Sequence, residues 1–309
     1  MTALLADPIY REHLLDRAGH PERPERFDAV VAALANVPGL QPIHSRVATE
    51  EELQLCHTPA YLRRAESDIR SGQPYLSTGD TDVTRNSWDV AVRAAGGVLN
   101  AVDAVCSGRP NTAFCVVRPP GHHATSSRGM GFCILNNIAL GARYAQRKYG
   151  IARVAIVDWD GHHGNGTQEI FYSDPSVFFF STHQWPLYPG TGRADETGEG
   201  EGAGTTMNFP FPAGSGRKEI LGAVRDSLIP AMEQFRPELV MISAGFDSRI
   251  GDLLGRFTLT DEDFMDLTHA VKEIADHSAG GHVVSVLEGG YNLGGLASAA
   301  RAHVTALCE

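Results

Sequence analysis

Imidazoles, carboxylates and one phenol stand just beyond the ends of four short apolar segments of this chain. In chain order they are His122-His123, Asp158, Asp160, His162-His163, Asp247 and Tyr291. Imidazole titrates near neutral pH, so adjacent histidines suit general acid–base work. A phenol that follows two glycines could turn toward a polarised carbonyl and stabilise an oxyanion. Taken singly, a turn histidine or tyrosine is more often structural, so the set matters more than any member.

The spacing of Asp160 and His162 places a carboxylate and an imidazole on the same side of an extended segment. Asp247 could complete the set from another segment. Three N/O ligands with an open fourth position describe a catalytic Zn²⁺ site, whereas Asp160 and His162 alone are more typical of a cap or a turn. Metal ligands need partners that orient them, and Asp158, His163 and Asn165 lie nearby in the sequence; they are candidates for that role.

The histidine pair His122-His123 has two candidate partners of different charge. A carboxylate partner raises the pKa of a histidine, whereas a neutral amide does not. Asp158 and Asn165 would therefore let the two histidines act differently. The alternative is a rigid turn after Pro119-Pro120 with both rings in solvent.

The segments that precede these groups are rich in β-branched residues and stop at Gly, Pro or Asp, which is typical of buried strands. They are Phe114–Val117, Val154–Val157, Leu239–Ile242 and Val283–Leu287, with a further strand expected at Ser176–Ser181. In an open α/β sheet, functional groups gather at the carboxyl ends of the strands. We therefore expect the polar groups to converge on one crevice.

Helical patterns alternate with the strands, which predicts parallel strands joined by crossover helices. The predicted helices are Glu25–Ala35, Pro59–Ile69, Ser87–Cys106, Asn136–Lys148, Lys218–Gln234, Asp261–Ser278 and Leu293–Leu307, and Trp185–Gly204 is expected to be a loop. The 309 residues, 42% of them hydrophobic, suffice for one large core. The expected fold class is α/β, a single domain over residues 1–309 with a central, mostly parallel sheet flanked by helices.

Composition excludes several classes of partner. A net charge of −11 argues against a nucleic-acid footprint. No run of about 18 apolar residues is present, so no membrane partner is expected, and Met1–His13 does not resemble a signal peptide. The five cysteines form no CxxC pair, which favours reduced thiols and a cytoplasmic location. A homo-oligomer is left open.

Six sequence blocks together resemble the histone deacetylase family, which has the arginase–deacetylase fold. They are Arg118–Ala124, Gly131–Asn137, Asp158–Thr167, Tyr188–Gly192, Ser243–Asp247 and Glu288–Tyr291, and the resemblance begins at Gly19–Arg26. Each block alone is weak, but all of them in order make a chance match very improbable. The chain looks most like the class II and bacterial histone deacetylase-like amidohydrolases, because Asn165 stands where class I members usually carry Asp.

The resemblance implies a role for each matched position. Asp160, His162 and Asp247 look like the Zn²⁺ ligands, and Fe²⁺ is the alternative ion. His123 resembles the general base, with Asn165 holding it, and His122 resembles its electrostatic partner, held by Asp158. Tyr291 looks like the phenol that polarises the substrate carbonyl.

The resemblance also implies a structural potassium ion and an acyl-lysine tunnel. The potassium positions are Asp158, Asp160, His162, Ser181 and Thr182, some of them through backbone oxygen atoms. The implied substrate-binding positions are Gly131, Phe132, Tyr188, Leu254 and Gly289. Phe132 and Tyr188 resemble the aromatic pair of the tunnel wall, where the second residue is commonly Phe. Leu254 matches the tunnel rim.

The expected function is zinc-dependent hydrolysis of an acylated amine, with an acetylated lysine peptide as the substrate. One alternative is an acetylpolyamine or another small acylated amine, which an acidic group at the tunnel mouth would favour. Leu254 is apolar and opposes that alternative, whereas Asp80, Asp82 and Glu199 keep it open. The other alternative is a non-catalytic module that binds acylated lysine. Arginase-like chemistry would need more carboxylate ligands than the sequence offers.

Overall fold

A central sheet of eight parallel strands organises the molecule, and the computed structural model describes residues 1–309. The strands are β1 Thr2–Leu5, β2 Leu40–Ile43, β3 Thr112–Cys115, β4 Val154–Asp158, β5 Val177–Gln184, β6 Thr206–Phe211, β7 Leu239–Ala244 and β8 Val283–Leu287. Their spatial order is β2-β1-β3-β8-β7-β4-β5-β6, and every neighbouring pair is parallel. The fold class expected from the sequence is therefore confirmed.

Ten α-helices connect the strands and flank the sheet. They are α1 Glu25–Leu34, α2 Glu50–Leu53, α3 Pro59–Arg70, α4 Ser87–Cys106, α5 Asn137–Tyr149, α6 Asn165–Phe171, α7 Arg217–Ala223, α8 Ile229–Phe235, α9 Asp261–Ser278 and α10 Leu293–Cys308. Short 3₁₀ turns cover Pro8–Glu12 and Gly200–Gly202, and a π-helical turn covers Val224–Leu228. Helix α10 packs on both α1 and α9, and α4 packs on α5.

The core is continuous, because 80 buried residues form a single hydrophobic cluster. The central strands β4, β7 and β8 are buried along their whole length. Strands covered on both faces read as unbroken apolar runs rather than alternating ones. This burial explains why the sequence predicts these segments to be strands. No helix is both long and apolar enough to span a membrane.

Three strands were not predicted, and several boundaries differ from the expected ones. β1 and β2 have only four residues each, and Pro42 in β2 and Pro210 in β6 argue against a strand. Both prolines are tolerated because β2 and β6 are the edge strands of the sheet. β3 begins earlier than expected and ends at Cys115. The helix expected over Lys218–Gln234 is divided by the π-helical turn.

Strand order decides which loops meet. β3, β8, β7 and β4 are consecutive neighbours in the middle of the sheet. The segments that follow them carry all four groups of polar residues. Because the strands are parallel, their carboxyl ends share one edge, where functional groups collect.

Candidate metal and catalytic site

Three side chains form a possible metal site at this edge of the sheet. Asp160 and His162 follow β4, and Asp247 follows β7; their ligand atoms all lie within 4.8 Å of one another. Nδ1 of His162 is 2.8 Å from Oδ2 of Asp247 and 3.1 Å from Oδ1 of Asp160. All three residues are buried. The structure thus brings together the ligand set implied by the resemblance.

The charges of this cluster suit a divalent cation. Burial, followed by the charge of Asp160, raises the pKa of the Asp247 carboxyl to about 7. Burial would also raise the pKa of Asp160, but the imidazoles of His122 and His162 lower it below its usual value. Two carboxylates and one imidazole are a normal donor set for Zn²⁺. A bound dication would relieve the repulsion between the carboxylates, so the residues fit the ion.

Backbone N–H groups hold the candidate ligands in place. Gly289 donates to Oδ2 of Asp160 at 2.8 Å, and Gly161 donates to Oδ1 of Asp247 at 2.6 Å. A β-carbon at position 289 would overlap the carboxylates of both aspartates. Glycine is therefore required there because the backbone passes directly behind the metal cluster. Its expected part in substrate binding stays a prediction.

His122 is paired with a carboxylate. Its Nδ1 lies 2.9 Å from Oδ2 of Asp158, and both side chains are buried. Burial lowers the pKa of His122, but the carboxylates of Asp158 and Asp160 outweigh it and raise this pKa to about 10. Burial likewise raises the pKa of Asp158, and the imidazolium opposes that rise. Because Asp158 also accepts the Asp160 N–H at 3.0 Å, we describe the pair as imidazolium and carboxylate.

His123 is paired with an amide. Its Nδ1 lies 2.8 Å from Oδ1 of Asn165, the first residue of α6. Burial and then the positive charges of His122 and His162 lower the pKa of His123 well below its ordinary value. The centroids of the His122 and His123 rings are only 4.0 Å apart. The adjacent rings therefore differ in charge state because their partners differ.

The turn Glu288–Tyr291 follows β8 and touches His122 and the metal cluster. The buried Glu288 carboxylate accepts the N–H groups of Gly121 and His122 at 2.7 and 3.1 Å. Burial raises the pKa of Glu288 to about 7, although the charge of His122 opposes the rise. Arg26 donates to the carbonyl oxygen of Gly290 at 2.6 Å, and its guanidinium lies 5.0 Å from the centroid of the Tyr291 ring.

Tyr291 itself is buried and stays protonated. Burial raises the pKa of its phenol, and Arg26 opposes that rise without cancelling it. The ring stands edge-on to Phe132, with centroids 5.9 Å apart. A neutral phenol next to the metal cluster is a hydrogen-bond donor for a developing negative charge.

A cavity of about 290 Å³ leads to the metal cluster. Its lining consists of Asp80, His123, Gly131, Phe132, His162, Leu187, Tyr188, Leu254 and Tyr291. Gly131 and Phe132 both have positive φ angles, 57° and 68°. A β-carbon at position 131 would overlap the His123 ring. The backbone of Gly131 therefore packs directly against this ring and forms part of the cavity wall.

Two lining residues were not among the expected site residues. The sequence indicates Asp80 only as an acidic residue near the rim, and it does not indicate Leu187. Oδ1 of Asp80 accepts the Gly131 N–H at 2.8 Å and the Tyr188 hydroxyl at 3.3 Å. Tyr188 thus adds a hydrogen bond to the lining of the cavity. Neither Asp80 nor Leu187 lies in a periodic segment. Leu187 stands directly before the matched block Tyr188–Gly192, which could have indicated a role, whereas no sequence signal of this kind marks Asp80.

Two of the positions implied for potassium, Asp160 and His162, belong to the metal cluster, and the others lie at the end of β4 and in the neighbouring strand β5. Ser181 is the cross-strand neighbour of Asp158, and its hydroxyl is 2.9 Å from Nδ1 of His183. The hydroxyl of Thr182 is buried without a hydrogen-bond partner. This arrangement assembles polar atoms behind the cluster, and the potassium ion itself stays a prediction.

Comparisons with known proteins all point to the same protein family. A sequence model described as "Histone deacetylase domain" matches residues 20–307. The chain is 38% identical over 302 residues to "Histone deacetylase 10, chloroplastic" of Oryza sativa subsp. japonica, covering 92% of this chain and 68% of that protein. It is 38% identical over 284 residues to "Probable deacetylase" of Archaeoglobus fulgidus, covering 89% of this chain and 77% of that protein.

Two further matches extend this result. The chain is 40% identical over 292 residues to "Polyamine deacetylase HDAC10" of Homo sapiens, covering 89% of this chain and 43% of that protein. The structure described as "Crystal Structure of HDA15 HD domain" superposes with a TM-score of 0.93 at 38% identity, covering 99% of this chain and 89% of that chain. With nearly its whole length matched in both sequence and fold, this chain belongs to the histone deacetylase family.

Proposed function

We propose that the protein is a zinc-dependent hydrolase of acylated amines whose preferred substrate is N-ε-acetyl-lysine in a peptide or protein. One observation carries the proposal: the metal cluster, the neutral histidine and the protonated tyrosine all meet at a single cavity. His123, His162 and Tyr291 line that cavity together. The three groups match the ligand, the base and the oxyanion donor that amide hydrolysis requires.

The metal would be held by Asp160, His162 and Asp247. When bound there, Zn²⁺ supplies Lewis-acid polarisation of a carbonyl group and acidifies a water molecule. Everything else in the reaction falls to side chains of the protein.

His123 acts as the general base. Because Nδ1 donates its proton to Asn165 Oδ1, the basic lone pair is on Nε2. The lowered pKa keeps the ring neutral at physiological pH. Nε2 therefore takes a proton from water and later returns it to the leaving amine. His122 remains charged throughout and, with its ring close to that of His123, holds the pKa of His123 down.

Tyr291 stabilises the oxyanion that forms when water attacks the acyl carbonyl. Its raised pKa keeps the proton on the phenol, so Tyr291 donates a hydrogen bond rather than repelling the negative charge. Donors of this kind are worth about 10²–10³ in turnover.

The tunnel wall suits the aliphatic part of an acyl-lysine side chain. Phe132 stands between His20 and Tyr291, with ring centroids 4.8 and 5.9 Å away, and Tyr188 stands edge-on to His123 at 5.2 Å. Leu254 completes an apolar lining near the mouth. The four methylene groups of a lysine side chain can pass between these walls while the polar backbone of the peptide stays outside.

A structural potassium ion is part of the same proposal. Ser181 and Thr182 would share it with Asp158, Asp160 and His162, partly through backbone oxygen atoms. The unpartnered Thr182 hydroxyl and the side-by-side placement of Ser181 and Asp158 support this position.

Acetylpolyamine hydrolysis is the second candidate. Asp80 lines the cavity and offers a negative charge to a cationic substrate, and one relative bears the printed name polyamine deacetylase. Leu254 opposes this candidate because it places an apolar side chain on the same lining.

A substrate panel on zinc-restored protein separates the two candidates, with chelated protein as the control. We expect zinc-dependent release of acetate, with a higher kcat/KM for an acetyl-lysine peptide than for acetylspermidine. The reverse ratio would select the polyamine reaction. If the zinc-loaded protein hydrolyses neither substrate and no lysine with a longer acyl group, the proposed function is contradicted.

A further inference from the structure

The Asp252 carboxylate joins the loop at the tunnel rim to the turn that carries Tyr291. Asp252 lies between β7 and α9, five residues after Asp247. Its Oδ2 accepts the N–H groups of Tyr291 and Asn292 at 2.7 and 3.0 Å. Its Oδ1 accepts the N–H groups of Leu254 and Gly255 at 2.9 and 3.4 Å. A single side chain thus fixes four backbone donors from two separate segments.

A second contact ties the same segments together. Asn292 donates from Nδ2 to the carbonyl oxygen of Gly251 at 2.9 Å, and its Oδ1 accepts the Gly295 N–H at 3.1 Å, which caps the start of α10. The rim loop, the tyrosine turn and the first turn of α10 are therefore one connected unit. Leu254 and Tyr291 both line the cavity, so this unit forms part of the tunnel.

The turn before Tyr291 has little stiffness of its own. It contains Gly289 and Gly290, and Gly290 has a φ of 120°, a conformation that only glycine adopts easily. The direction of the phenol must then be set by contacts that hold the backbone. Arg26 holds Gly290 on one side of the turn. On the other side, the Tyr291 N–H donates to the Asp252 carboxylate. This hydrogen bond is charge-assisted, and such bonds are about twice as strong as neutral ones.

We propose that Asp252 is the positioning residue for Tyr291 and that it couples the tunnel rim at Leu254 to the tyrosine. It touches no substrate atom in this role and acts only through the backbone of the turn. The kinetic part of the inference rests on the proposed function, because that function gives Tyr291 its task. The structural part, the anchoring of the turn, does not depend on it.

Hydrogen–deuterium exchange tests the anchoring without any substrate. Asp252→Asn keeps the size of the side chain but replaces one acceptor oxygen with a donor. We expect faster amide exchange at residues 289–293 and 253–255. Asp263→Asn is the matched control, because Asp263 also accepts a backbone N–H, that of Thr260 at 2.8 Å, at the start of α9. The control should leave exchange at 289–293 unchanged. Unaltered exchange there in Asp252→Asn would overturn the inference.

Kinetics in two backgrounds tests whether Asp252 acts through Tyr291. In the otherwise unchanged enzyme we expect Asp252→Asn to lower kcat by about tenfold to a hundredfold, since misplacement by about 1 Å can cost this much. KM should stay within about twofold, and the zinc content should not change. In a Tyr291→Phe background the same substitution should cause no further loss. Equal losses in both backgrounds would show that Asp252 does not work through the phenol.

Folding and function are separated by two further measurements. The thermal unfolding midpoints of Asp252→Asn and of a second variant, Asp252→Ala, show whether each variant remains folded. Both variants should show the same pattern of amide exchange. If the zinc-loaded wild-type protein hydrolyses no acylated amine, the proposed function fails while the exchange result still stands. If the wild type is active but Asp252→Asn matches it in kcat, the positioning role fails alone.

Discussion

Replacing Asn165 with aspartate should convert His123 from a weakly basic ring into a strongly basic one. The molecule contains its own reference for this change, because His122 has the same kind of contact with a carboxylate. The distances are alike, 2.8 Å from His123 to Asn165 and 2.9 Å from His122 to Asp158. The pKa values move in opposite directions, upward to about 10 for His122 and well below the ordinary value for His123.

The size of the effect follows from the distance. Two unit charges about 4 Å apart interact by about 4 kcal/mol at an effective dielectric constant of about 20. At about 1.4 kcal/mol per pKa unit this corresponds to about 3 units. The new carboxylate is itself partly desolvated, so we expect the pKa of His123 to rise by about 1–3 units. Position 165 opens α6, and a helix N-terminus favours a negative side chain, so the aspartate should be ionised.

The assay is the pH dependence of kcat/KM on an acetyl-lysine peptide with zinc-loaded enzyme. A base must be unprotonated to act, and a raised pKa keeps His123 protonated up to a higher pH. The acidic limb of Asn165→Asp should therefore move to higher pH by about 1–3 units. Asn165→Ala is the control, since it removes the hydrogen bond without adding charge and should not move the limb upward. An Asn165→Asp limb that stays in place or moves to lower pH would refute the assignment of His123 as the base.

Three further substitutions test other parts of the site. Tyr291→Phe should retain zinc and lose about 10²–10³ in kcat, measured by metal analysis and single-turnover kinetics; wild-type turnover would exclude the oxyanion role. Leu254→Glu should raise the kcat/KM for acetylspermidine relative to that for acetyl-lysine peptide by about tenfold, because a negative charge at the rim favours the cationic substrate by about 1.4 kcal/mol. An unchanged ratio would show that the rim does not select substrates. Gly289→Ala should weaken zinc binding by about 10–100-fold in a competition titration, because its β-carbon overlaps the ligand carboxylates; wild-type affinity would contradict that account.

Much of the fold and the candidate ligands could be predicted from the sequence because their information is local. β4, β7 and β8 are buried on both faces, so each is a short unbroken apolar run that ends in a polar motif. The helices α4, α9 and α10 were found at or within one residue of their observed bounds. β2 and β6 could not be predicted because each is an edge strand that contains proline.

The supports of the site could not be predicted because they depend on which loops the sheet brings together. Asp252 looks like an ordinary loop aspartate until β7 and β8 lie side by side and the segments after them meet. The same holds for Glu288, whose carboxylate reaches Gly121 and His122 only because β8 neighbours β3. Leu187 lies directly before a matched block, whereas Asp80 lies in the loop between α3 and α4, away from all of them, and no periodic pattern marks either residue.

The most direct test of the whole account is to find the metal. We expect zinc-soaked crystals to show one anomalous peak at the zinc absorption edge, between Asp160, His162 and Asp247, and metal analysis to give one zinc ion per chain. The peak and the stoichiometry should both be lost in Asp247→Ala and be kept in Asp263→Asn. An ion bound elsewhere, or full zinc binding by folded Asp247→Ala, would contradict the site from which the proposed reaction is derived.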